Sequence, residues 1–270
     1  MVEAIHQSTL NMALRCGEQF RRRYIEGEII PPSIAAGRGT AVHKANEVNL
    51  KHKVVKQEDL PLEDLQDAAR DAYVHTFSNG VYIPKKDLPA KNRLLNDGLN
   101  DAIRCTKVYR REVAPHIKPI SIEQPFQIDV GLELPLAGRM DYQEEPVVGD
   151  LKTASMKWQK DRINREIQPA FYSFVHEQER GIRPLFRYHV LIARRNKEGQ
   201  PTSEEYQPLE YTPSEKDYKA LFAKLQLFIQ MLKSGVFPPA NPTAWWCSER
   251  FCGYWYTCPY VGNNLPKKWF

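Results

Sequence analysis

Long apolar runs are missing from this chain. No stretch approaches the roughly 20 consecutive apolar residues that cross a bilayer, and the first residues carry no signal-peptide core. A membrane span and secretion are thereby set aside, and a soluble, cytoplasmic protein is expected. Internal repeats and low-complexity tracts are absent too, which argues against a solenoid or a disordered tail. Cysteine is sparse, 5 in 270 residues, and without a secretory signal a disulfide framework is disfavoured. A strong charge of one sign is also lacking. The net charge is +5, with 26% charged and 42% apolar residues. That balance suits one substantial globular core and is compatible with a polyanionic partner without specifying one.

What is present is a split set of polar residues: Gly39-Thr40-Ala41-Val42-His43, Gly138-Arg139-Met140-Asp141, Gly149-Asp150-Leu151-Lys152, and then Gln168 and Tyr172. Asp150 and Lys152 stand at i and i+2, so on a strand they leave one face while Leu151 points to the other. Asp141 closes an apolar stretch (Leu132, Leu134, Leu136, Met140), and Glu144-Glu145-Pro146 makes a polar break before Val147-Val148. Two adjacent antiparallel strands joined by a short turn are expected, with Asp141 beside Asp150. Two carboxylates on one edge suit a hard divalent cation such as magnesium, which takes oxygen ligands, and a lysine on the same face can neutralise charge growing on a phosphate. Gln168 and Tyr172, at i and i+4, share a helix face. Pro169 fits only the first turn of that helix, which is expected to stop near Gly181 in a left-handed cap.

Taken together, these motifs resemble the PD-(D/E)xK nuclease superfamily, in particular the RecB-like exonucleases and their CRISPR-associated and phage relatives. The family pattern is a G-x-x-x-H helix, a strand ending in G-x-aliphatic-D, a D/E-x-K strand and a Q-x-x-x-Y helix, and this chain carries all of them in order. The resemblance implies that His43, Asp141 and Asp150 bind Mg2+ or Mn2+, with the Leu151 carbonyl as a further ligand. It implies that Lys152 is catalytic and that Gln168 and Tyr172 position DNA or support the site. The implied fold is α/β, a restriction-endonuclease-like mixed sheet flanked by helices.

Cys16 lies near one end of the chain, and Cys247, Cys252 and Cys258 lie in an aromatic-rich stretch near the other. Four thiolates can hold either a 4Fe–4S cluster or a zinc ion. The arrangement of one N-terminal and three C-terminal cysteines, with Pro259 after the last, is similar to that of the AddB and CRISPR-associated iron–sulfur nucleases, and this resemblance favours the cluster. The spacing between Cys247 and Cys252 is wider than that pattern usually has. A site joining Cys16 to Cys247 closes most of the chain into one loop, and the chain-entropy model assigns such a cross-link up to about 5 kcal/mol. A structural role is expected. Cys105, in a helical run of Leu94, Leu95, Leu99, Ile103 and Val108, is expected to be buried and inert.

Along the chain, an N-terminal helix over about 8–25 and the His43 helix are expected, then a mostly helical insertion over 58–116 with breaks at Pro84 and Pro89. Strands follow at about 120–130, 132–141 and 146–153, then the Gln168 helix, a hairpin over about 185–211 turning at 196–200, and a helix over about 213–234. The whole of 1–270 reads as one nuclease domain, with 1–30 and 236–270 forming an iron–sulfur subdomain. Basic clusters at Arg21-Arg22-Arg23, at Lys157, Lys160, Arg162 and Arg165, at Arg194-Arg195 and at Lys267-Lys268 suit a phosphate-tracking groove. Trp158, Trp245, Trp246, Tyr254, Trp255 and Tyr256 suit base stacking, or else packing around the cysteines. The expected function is metal-dependent exonucleolytic cleavage of single-stranded DNA or DNA ends in recombination, repair or phage DNA processing, with a recombination or helicase protein as a possible partner. A catalytically inactive end-binding subunit and a zinc-organised nucleic-acid-binding module are the rival readings.

Overall fold

The computed structural model describes residues 2–261. Lys267, Lys268, Trp269, Phe270 and the end of the 236–270 segment lie outside the described residues. The chain opens with β1 (Ile5–His6) and α1 (Gln7–Arg15). The single helix expected over 8–25 is broken. Cys16 is extended (φ −161°, ψ 104°), α2 (Gly17–Phe20) restarts after it, and a wider helical turn covers Arg21–Ile25. The break has a tertiary cause. Gly17 N–H donates to the Pro238 carbonyl at 2.7 Å, and a Cβ on Gly17 would lie 2.6 Å from the Phe237 carbonyl carbon. The chain's late segment thus lies directly against this turn.

Helix α3 (Ile34–Lys56) starts at Ser33, whose hydroxyl accepts the Ala36 N–H at 3.3 Å. It is followed by α4 (Leu62–Thr76), a 3-10 turn over Lys85–Ala90 that accommodates Pro89, and α5 (Lys91–Val108). Among the described residues, six strands then complete one mixed sheet: β1, β2 (Ser121–Ile128), β3 (Leu136–Glu144), β4 (Val147–Ala154), β5 (Leu185–Arg195) and β6 (Pro201–Tyr211). The third strand begins at Leu136 rather than near 132, because Gly131 turns at φ +72° with its N–H on the Asp129 carboxylate at 2.9 Å. Helix α6 (Ile167–Arg180) ends at Gly181 in the left-handed conformation, and α7 (Glu215–Ser234) follows the β5–β6 hairpin.

Two apolar layers sandwich the sheet. On one face α1, α6 and α7 cover Val148, Phe186, Tyr188, Val190 and Ile192. On the other, α3, α4 and α5 cover Leu151, Leu191 and Ala193. The alternation along β5 follows the period-2 rule. Cys105 is buried in the second layer, its thiol 3.6 Å from the Leu191 carbonyl. No helix among the described residues is long and apolar enough to cross a membrane.

The contact at Gly17 generates a direct test. Gly17→Ala forces backbone apart rather than a side-chain tip, so a loss of about 1–3 kcal/mol in urea-unfolding stability is expected. Unchanged stability would show that the late segment does not press on Cys16-Gly17 in solution.

Candidate active site

The site grows from a notch in the sheet. Strand β3 is paired along one edge with β2, from Ser121 opposite Gln143 to Ile128 opposite Leu136. Its other edge is shared by two short partners, β1 at Leu136 and Ala137 and β4 from Tyr142 to Glu144. Past the Tyr142–Gly149 pair β4 leaves β3 and follows β5, so the edge of β3 at Asp141 has no strand partner. The Asp141 side chain fills the gap, Oδ2 accepting the Leu151 N–H at 3.1 Å. Asp141 and Asp150 therefore stand side by side.

Four elements deliver the surrounding groups. From α3, His43 Nδ1 lies 3.0 Å from Asp141 Oδ2. From β4, Lys152 Nζ lies 2.5 Å from Asp150 Oδ2, as two residues on one strand face should. From the first turn of α6, Gln168 Nε2 donates to Asp150 Oδ1 at 2.5 Å, and from β5 the Tyr188 hydroxyl donates to Gln168 Oε1 at 3.1 Å. Tyr188 was not singled out from the sequence, yet it holds the amide that holds the carboxylate. Tyr172 packs edge-on against Phe126, ring centroids 6.0 Å apart. Its hydroxyl makes no hydrogen bond to the carboxylates among the described residues, although burial and the nearby Asp150, Asp141 and Glu123 all push its pKa up. Leu151 contributes a core side chain and its N–H on Asp141.

Charge dictates the titration. Burial pushes the His43 imidazole toward neutrality, but Asp141 and Asp150 outweigh it and raise its pKa to about 9. Asp141, despite burial, is held below its usual range by His43 and Lys152. Asp150 is pushed up by burial and by Asp141, against the pull of Lys152. One carboxylate is thus strongly ionised and its neighbour less so, as two like charges at one place require.

Glu123 is a second residue that sequence reasoning missed. It lies on β2 opposite Asp141, at the one position where the β2–β3 register skips a pair, and it takes φ +49°, strained for a residue with a side chain. Burial and the charges of Asp141 and Glu47 raise its pKa. Flanked in sequence by Ile122 and Gln124, Glu123 carries no local signal that sets it apart from an ordinary strand residue.

A family model, the PD-(D/E)XK nuclease superfamily, matches residues 5–259. The chain belongs to that superfamily. A crystal structure of an exonuclease candidate from Eubacterium rectale is similar in fold, with a TM-score of 0.58, 15% identity, and coverage of 91% of this chain and 87% of that one. No curated protein matches the chain. Nucleases of this superfamily typically use Mg2+ or Mn2+. Among the described residues of this nuclease, no three His, Cys, Asp or Glu side chains are gathered to hold a metal ion as they stand. His43 and Lys152 each lie against one carboxylate, Asp141 and Asp150 respectively. The donor set nevertheless fits a divalent ion: carboxylates on one edge, an imidazole above them, and a buried Asp150 Oδ2 with no aligned hydrogen-bond donor.

The cysteines fall into two groups. Cys105, isolated in the core, has its thiol pushed up by burial to about 12. Cys16, Cys247, Cys252 and Cys258 are partly exposed and free, and close enough for their charges to be felt among them. The Ala240 backbone N–H donates to the Cys16 sulfur at 3.3 Å. Arg15, with Nε lacking any hydrogen-bond partner among the described residues, lies close to Cys252 and Cys16. Among the described residues no three of these thiols are gathered to hold a metal ion as they stand, and the Arg15 guanidinium lies over the Trp246 ring, 5.9 Å from its centroid.

The His43–Asp141 pair yields a pH prediction. With the folded pKa near 9 against 6.5 for a free imidazole, the pair stabilises the metal-free protein fully below about pH 6.5, and the contribution is lost as pH rises through about 9. A metal ion that takes His43 must displace its proton. Mn2+ affinity should therefore increase with pH up to about 9, with close to one proton released in calorimetry across buffers. An NMR titration placing His43 near 6.5 would contradict the pairing.

Proposed function

We propose that this protein is a divalent-metal-dependent deoxyribonuclease that degrades DNA from its ends, on single strands or frayed duplex termini, in the cytoplasm. The observation that supports it most is the convergence of His43, Asp141, Asp150 and Lys152 at the sheet notch, with Gln168 on Asp150. Asp141, Asp150 and His43, with the Leu151 carbonyl, would hold Mg2+ or Mn2+, and a bound ion supplies Lewis-acid polarisation of the phosphate and a lowered pKa for the attacking water. Lys152 neutralises charge that grows on the phosphoryl oxygens as the water oxygen bonds to phosphorus and the bond to the leaving alkoxide breaks. Tyr188 fixes Gln168, and Gln168 fixes the rotamer of Asp150. Tyr172 lines the apolar side of the carboxylates and supports their placement.

Digestion of linear single-stranded DNA with Mg2+ or Mn2+ is the deciding assay. Lys152→Ala, Asp141→Ala and Asp150→Ala should each lower the rate by at least about 100-fold, with the fold retained by circular dichroism. Activity in any of the three near that of the parent would remove the site assignment. Covalently closed circular single strands should resist under the same conditions, whereas equal cutting of circles would make the protein an endonuclease. DNA-end binding without any cleavage would mark a relict subunit.

Cys16, Cys247, Cys252 and Cys258 are proposed to hold a 4Fe–4S cluster that ties the chain ends together in a structural role. Protein purified without oxygen should be brown, with about four iron atoms per chain. Alanine at any of these four cysteines should bleach it and lower the melting temperature, while Cys105→Ala should leave the colour. Stoichiometric zinc with no iron would replace the cluster by a zinc site.

A further inference from the structure

Beside Lys152 and Gln168 a groove of about 420 Å³ opens, with Tyr188 in its floor. Its position follows from the sheet: β1 ends at His6 next to the notch, and α1 starts at Gln7. One wall is the outer face of α1, where Gln7, Asn11 and Arg15 recur at i, i+4 and i+8 and so stack in one row. The opposite face of α1, Thr9, Leu10 and Ala13, is buried. The side chains of Gln7, Ser8 and Asn11 have no hydrogen-bond partner among the described residues, and Ser8 and Asn11 are exposed.

The other wall is Trp158 with Arg162. The Arg162 guanidinium lies 3.6 Å from the Trp158 ring centroid, and Glu166 accepts from its Nε at 2.9 Å. Tyr188 meets the indole edge-on, centroids 5.7 Å apart at 78°. The loop carrying Trp158 is clamped by one side chain: Gln207 accepts the Trp158 N–H at 2.8 Å and donates to its carbonyl at 2.9 Å. The indole is therefore a positioned plane rather than a loose surface aromatic. Arg15, Lys152 and Arg162 outnumber Glu166 on the groove's walls.

This composition discriminates among polyanions. A groove for duplex phosphates alone would be lined by rows of cations with no need of an aromatic plane or of groups that both donate and accept. Here Arg15 is the one cation in the α1 row, whose other members are amides that both donate and accept and so match base edges, and the facing wall is an indole–guanidinium stack that matches a base face. In a duplex both features of a base are already occupied by pairing and stacking. We infer that this groove seats a nucleotide adjacent to the scissile phosphate in single-stranded form, its base stacked on the Trp158–Arg162 plane and its polar edge hydrogen-bonded by Gln7 and Asn11. The inference rests on the nuclease reading for the location of the scissile phosphate, and its test does not depend on cleavage.

The test is fluorescence anisotropy of a labelled oligodeoxynucleotide in EDTA, as a single strand and as a matched blunt duplex, with the full chain. Trp158→Ala should weaken single-strand binding about 5- to 150-fold, while Trp158→Phe, which keeps a ring on a clamped backbone, stays within about 3-fold. Asn11→Ala or Gln7→Ala should cost about 2- to 12-fold. Duplex affinity should move less than 2-fold in all of them. In Mn2+-supported turnover, Trp158→Ala should raise KM more than it lowers kcat. The inference is overturned if Trp158→Ala and Asn11→Ala bind the single strand like the parent, if single strand and duplex weaken alike, or if the parent binds no single strand. A parent that binds in this Trp158-dependent manner yet never cleaves leaves the groove assigned and removes the nuclease reading. Cleavage with Trp158-independent binding does the reverse.

Discussion

Two carboxylates held at one break in a sheet are the constraint around which this molecule is arranged. Asp141 and Asp150 come together because β4 leaves β3 after a single turn and three paired positions, and in that largely buried setting they repel. A protein can keep such a pair only by importing positive charge and hydrogen-bond donors. His43 comes from a helix on one side of the sheet, Lys152 from the same strand as Asp150, Gln168 from a helix on the other side, and the Leu151 N–H from the strand that moved away. The kink at Glu123 belongs to the same arrangement, since it lies opposite Asp141 and turns β2 at the point where β3 loses its neighbour.

The ends of the chain are the second organising contact. The late segment reaches back to the N-terminal turn through Gly17 and Pro238, through Arg22 and Thr257 at 2.8 Å, and through Tyr254 and the Glu28 carbonyl at 2.5 Å. Tyr82, from the helical region, adds hydrogen bonds to the Glu249 and Cys252 carbonyls. Cys16 and Arg15 are consecutive, so α1 carries a candidate cluster ligand at its end and a wall of the groove along its length. Whatever tightens the thiols also fixes the position of that wall relative to Lys152.

Much of this was legible before any coordinates. The i, i+2 spacing of Asp150 and Lys152 puts both on one strand face in any sheet, and Gly181 caps a helix because no other residue reaches φ +71° as cheaply. The hairpin from Leu185 to Tyr211 follows from its alternation and its Asn196–Gln200 turn. Where the reading missed, a distant contact had intervened. A continuous helix over 8–25 has the right local periodicity, but the Phe237–Pro238 backbone needs the space at Gly17. Tyr188 and Glu123 looked like ordinary strand residues, because their roles depend on which strands lie beside them.

The sequence by itself determined the local periodicities, the helix caps and the order of the motifs, since each depends on residues within a turn or two of one another. It also determined that carboxylate, imidazole and ammonium groups would be available in one chain. Only the tertiary structure decided that Asp141 faces a gap rather than a neighbouring strand, that Tyr188 buttresses Gln168, and that a polar helix row and a clamped tryptophan face each other beside Lys152. Those relations depend on the pairing order of strands separated by tens of residues and on the packing of helices against both sheet faces, and short-range spacing carries no record of them.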